Sequence, residues 1–109
     1  MRWASCEGWW EQDGFGRQMM EDLRLSFDNG EVTGLGRDAI GEFSLSGIVE
    51  NEKVFLRKQY LGQHAVEYPG VFDGEGTLCG IWHIGGFGGR WLIRVGQCES
   101  TCEIQEFRP

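Results

Sequence analysis

Proline is scarce, two in 109 residues, and basic side chains are outnumbered, 10 lysines and arginines against 17 aspartates and glutamates. The resulting formal charge of −7 sets the chain against phosphate backbones and anionic bilayers as partners. Five tryptophans and seven phenylalanines do not change that, because no basic stripe accompanies them, and nucleic acid is not an expected partner. No run approaches the ~20 apolar residues that a membrane helix needs. Met1 to Glu7 lacks the apolar core of a signal peptide, so the expectation is a cytoplasmic protein with reduced cysteines and no membrane partner. Long repeats are missing too, and so is any convincing helical period. The one helical temptation, Arg17 to Leu25, is opposed beyond its first turn by strict alternation from Asp22 onward.

Glycine, by contrast, is abundant: 18 residues, mostly placed singly, as in tight turns and bent strands rather than in a linker. Trp3 to Gln12 reads as an opening strand or a lid. Leu23, Leu25 and Phe27 then alternate with Asp22, Arg24, Ser26 and Asp28, the period of a half-buried strand. Asn29-Gly30 is the preferred pair for a type I′ hairpin turn. Pairing across it sets Phe27 against Val32, Leu25 against Gly34 and Leu23 against Gly36, large residues facing glycine where a curved sheet has little room. The alternation continues through Phe43, Leu45 and Gly47, then through Val54, Leu56, Lys58 and Tyr60. It resumes over His64 to Phe72, over Thr77 to Ile84, and at Trp91, Ile93 and Val95. Turns at 50–52, 62–63, 73–76 and 85–89 separate these runs, while Gly96 to Pro109 lacks a clean pattern. About eight strands joined by short turns predict an all-β, antiparallel up-and-down meander that closes into a small barrel, with residues 1–109 as one domain. A two-sheet sandwich is the alternative.

Two resemblances accompany this pattern. Gly80-Ile81-Trp82, set among alternating strands, resembles the glycine-x-tryptophan usage of the calycin group, the lipocalins and avidins. The biotin-contacting pattern of the avidins does not appear at matching positions. Gly34-x-Gly36-x-Asp38-x-x-Gly41-x-Phe43, then Lys58-x-Tyr60-x-Gly62-x-His64-x-Val66-x-Tyr68-x-Gly70, then Gly80-x-Trp82, resembles small bacterial β-rich proteins without an assigned activity. Both imply a calycin-like barrel, and neither implies a reaction.

Function is sought first between Lys58 and Tyr68. Lys58, Tyr60, His64, Val66 and Tyr68 share one parity with Val54 and Leu56, so they share the inward face, and Trp82 is expected across from them. A buried lysine needs a partner, and Asp38, at a strand end, is one possibility. Lys58, Tyr60, His64, Tyr68 and Trp82 then form either a pocket that orients a small polar or anionic ligand or a hydrogen-bonded plug that fixes strand register. Acid–base catalysis by His64 and Tyr60 is a third reading, with no catalytic residue assigned. Cys6, Cys79, Cys98, Cys102, His64 and His83 include zinc-ligand types. Yet Cys98-x-x-x-Cys102 has no second close pair, and no metal or cofactor is expected. A Cys98–Cys102 disulfide is the alternative in an oxidising setting. Gly85-Gly86-Phe87-Gly88-Gly89 lacks the lysine and helix of a phosphate loop and reads as a hairpin turn. Finally, the outward parity holds Leu35, Ile48, Phe55, Leu61, Val71, Ile81 and Leu92, an apolar wall that predicts either a homo-oligomer or a covering by the two chain ends.

Overall fold

A computed structural model describes residues 2–98, with backbone alone at 97 and 98. Eight strands run in order: β1 (Ala4–Gln12), β2 (Gly16–Asp28), β3 (Glu31–Arg37), β4 (Glu42–Glu50), β5 (Lys53–Tyr60), β6 (Ala65–Phe72), β7 (Thr77–Ile84) and β8 (Phe87–Cys98). Each pairs antiparallel with its neighbours in sequence, and β1 pairs with β8, so the meander closes into a barrel. Closure removes the unpaired edges that an open sheet of this length would expose. No helix among the described residues is long and apolar enough to cross a membrane.

The first hairpin shows how the sequence sets the curvature. Phe27 faces Val32 and Leu25 faces Gly34, as the Asn-Gly turn predicts. A Cβ at Gly34 would run into the Leu25 side chain, and one at Gly36 would lie 2.7 Å from the Phe43 ring and 3.1 Å from Leu23. These glycines let two strands bend around bulky neighbours without overfilling the interior. The expected pairing of Leu23 with Gly36 is displaced by a bulge between Glu21 and Arg24, where Asp22 takes a φ of 52°. Phe27 keeps the inward parity yet is 41% exposed, because it sits beside the turn where the barrel ends. The opening tryptophan segment is a wall strand and not a lid, with Trp10 buried in the interior.

The interior has two halves. Toward the turns that follow β2, β4 and β6 it is filled by aliphatic side chains, among them Leu25, Val32, Val54, Leu78 and Ile93, all essentially inaccessible to solvent. Toward the opposite end it changes to Trp10, Phe43, Tyr60, Tyr68 and Trp82, with Lys58 among them.

Candidate functional site

The site begins at the connection between β3 and β4. The Asp38 backbone N–H donates to the Gly41 carbonyl at 3.0 Å, and the Ile40 N–H donates to Asp38 Oδ1 at 2.9 Å. This is the local side-chain turn that aspartate favours, and it leaves Oδ2 free to enter the barrel. There Oδ2 accepts from Lys58 Nζ at 2.6 Å, from the Tyr60 hydroxyl at 2.7 Å and from Trp10 Nε1 at 3.1 Å. The Lys58 and Asp38 side chains are 1% and 0% exposed. Lys58 also donates to the Tyr68 hydroxyl at 3.2 Å and lies 4.3 Å from the centroid of the Phe43 ring. An ammonium has three N–H donors, and here a carboxylate, a phenol and an aromatic face are available to receive them. A cation that would cost several kcal/mol to bury alone is thereby tolerated.

Burial draws Lys58 down to about 8, with the neighbouring Asp38 carboxylate opposing that fall, so the ammonium is the main form at neutral pH. Burial pushes Asp38 upward, but the hydrogen bonds and charge of Lys58, aided by Tyr60, outweigh it and hold the carboxyl below its ordinary range. Tyr60 is raised by burial and by the adjacent carboxylate, and Tyr68 by the same two causes in the same order. A phenol pushed upward does not ionise near neutral pH, so Tyr60 is unsuited to act as a base there.

Against this polar layer a cavity of about 100 Å³ opens toward solvent. Trp10, Tyr60, Val66, Tyr68, Trp82 and Ile84 form its walls, and Gln12, Ile40, His64 and Phe87 complete its lining. Trp10 and Trp82 meet edge to face, with centroids 5.8 Å apart and planes at 88°, and Trp82 Nε1 donates to the Glu11 carbonyl at 2.9 Å. The His64 ring leans on Tyr60 at 5.2 Å, while the residue itself is exposed. The wall phenols and indoles thus already direct their polar atoms to protein partners, so the cavity walls are aromatic and largely apolar.

Of the residues expected to form a pocket, Tyr60, His64, Tyr68 and Trp82 line the cavity together. Lys58 does not line it, because its ammonium is engaged by Asp38 and Tyr68. A hydrogen-bonded layer of Asp38, Lys58, Tyr60 and Tyr68 and an adjoining cavity are both present, one against the other. Trp10, Gln12, Ile40, Ile84 and Phe87 also line the cavity and were not among the candidates read from the sequence. The parity of Trp10 and Gln12 was readable once the segment is taken as a strand, and Ile84 and Phe87 are paired strand residues flanking the β7–β8 turn, whereas Ile40 reaches the cavity from the β3–β4 connection, where parity carries no information.

Among the described residues, no group of three or more His, Cys, Asp or Glu side chains is placed to hold a metal ion. Cys6 and Cys79 are both half-buried, and the Cys98–Cys102 pairing lies outside the described side chains. The glycine-rich run around Phe87 is the β7–β8 connection and the start of β8. On the outer surface Leu35, Ile48, Phe55, Leu61, Val71 and Ile81 are exposed and Leu92 is half-buried. No family model, curated protein or solved structure matches the chain.

Proposed function

We propose that this chain is a calycin-like, non-enzymatic binding protein of the cytoplasm, and that its ligand is a small molecule held in the aromatic cavity. The observation that carries this reading is an open, aromatic-walled cavity backed by a fully hydrogen-bonded polar layer. A dry interior of about 150 Å³ accepts a benzene ring, so a smaller void with an open mouth suits one ring or a short branched chain. The ligand's polar substituent would remain at the mouth, near His64 and Gln12. The Asp38–Lys58 layer supports the cavity by fixing the hydroxyls of Tyr60 and Tyr68, which keeps both rings in place as walls.

Calorimetric titration with phenol tests the proposal, alongside native mass spectrometry of the purified protein for any ligand that it retains. Saturable 1:1 binding is expected, and Val66→Phe, which fills the void, should abolish it while leaving the far-ultraviolet circular dichroism unchanged. Phenol binding that survives Val66→Phe would place the ligand elsewhere. No retained ligand together with no phenol binding would favour a purely structural role for the layer.

A further inference from the structure

Independently of the cavity, the outer wall across β4–β7 has a pattern that matches itself under a two-fold rotation. Ile48 pairs laterally with Phe55, and Phe55 with Pro69. The register that joins Glu67 to His83 and Gly70 to Gly80 sets Ile81 beside Pro69. One lateral row therefore reads Ile48, Phe55, Pro69, Ile81, and its three large members are 43%, 55% and 55% exposed. The next row toward the cavity end reads Ser46, Arg57, Glu67, His83. Arg57 and Glu67 lie 3.5 Å apart as an exposed ion pair.

We infer that a second copy of this chain docks on this wall, about a two-fold axis that runs parallel to the strands between β5 and β6. That rotation lays β5 of one copy over β6 of the other and β4 over β7. Phe55 then meets the smaller Pro69 of the second copy, and Ile48 meets Ile81. Arg57 meets Glu67 in both directions, so each intramolecular pair becomes part of a four-charge cluster. An isologous contact demands this self-complementarity of size and sign.

Sedimentation velocity with light scattering on the full chain tests the inference. The expected mass is twice that of the chain. Phe55→Glu, or Ile81→Glu as a second variant, should yield a monomer whose circular dichroism is unchanged. Arg57→Glu alone and Glu67→Arg alone each bring like charges face to face and should weaken the dimer about a hundred-fold or more. Mixing these two monomers should restore a dimer containing one of each, and the double reversal should dimerise by itself. A role confined to the single barrel would leave mixing without effect. A wild-type monomer, a dimer indifferent to Phe55→Glu, or a mixture that stays monomeric would overturn the inference.

Discussion

Lys58 concentrates the chemistry of the interior on one ammonium, and its removal has a calculable consequence. Lys58→Met leaves Asp38 as a buried carboxylate without its cation, and such a loss costs about 3–5 kcal/mol. Urea unfolding followed by tryptophan fluorescence should show it. Replacing Asp38 by Leu in the same chain should recover only part of the loss, because the Tyr60 hydroxyl and Trp10 Nε1 would then lack their acceptor, at about 1–3 kcal/mol for each orphaned donor. The pH dependence follows from the same residues. In the unfolded chain Lys58 ionises near 10.5 and in the barrel near 8. Between those values the unfolded chain binds a proton that the fold has released, so this group makes stability rise with pH across the window. Tyr60 and Tyr68 act in the opposite sense, because their folded values lie above the ordinary 10.0, and stability should fall beyond that pH. Asp38 contributes stability above its ordinary 3.8, and this is lost as acid carries the pH through its lower folded value. Urea midpoints should therefore climb from pH 8 to about 10 and then decline. A profile that falls steadily through this range would contradict the ammonium–carboxylate assignment.

Among the elements, the two turns of one shape differ in how well their residues suit them. Asn29 and Gly30 take φ values of 51° and 85°, and Asn51 and Glu52 take 52° and 69°. Both are type I′ geometry, for which Asn-Gly is preferred, so Glu52 occupies a left-handed position that disfavours a side chain. Glu52→Gly should stabilise the barrel by about 1 kcal/mol, read as a higher urea midpoint with an unchanged slope. Strands and turns were the legible part of this chain, because inward rows such as Val54, Leu56, Lys58 and Tyr60 alternate with exposed Phe55 and Arg57. Asp38 was legible only as a candidate partner for Lys58. Its four acceptor contacts depend on how a short connection folds over the barrel mouth, and no periodicity encodes that. The bulge at Asp22 was invisible for a related reason, since one extra residue leaves the alternation on either side intact. His64 shows the limit of parity, because it shares the inward count yet stands at a strand boundary and reaches solvent.

In the molecule as a whole, the ladder between β1 and β8 joins the first and last strands, with Ala4 beside Cys98 and Trp10 beside Trp91. The connections on the rest of the barrel are therefore candidates for new termini in a circularly permuted chain, and they are not equivalent. The Asn51–Glu52 turn is exposed and lies at the aliphatic end of the barrel, far from the cavity. A permutant opened there, with the end of β8 linked to the start of β1, should keep the closed barrel and stay near wild-type stability, as exposed turns with few side-chain contacts permit. A permutant opened between Ala39 and Ile40 keeps every strand, yet it separates Asp38 from the Ile40 and Gly41 groups that aim its carboxylate. Its Lys58 is then held by a loose partner, and the cost should approach the 3–5 kcal/mol of a broken buried pair. The same permutant should lose phenol binding, because Tyr60 and Tyr68 no longer have a fixed floor. Equal stability for the two permutants, measured by urea unfolding, would mean that the strands alone place the carboxylate and that the 38–41 connection does not.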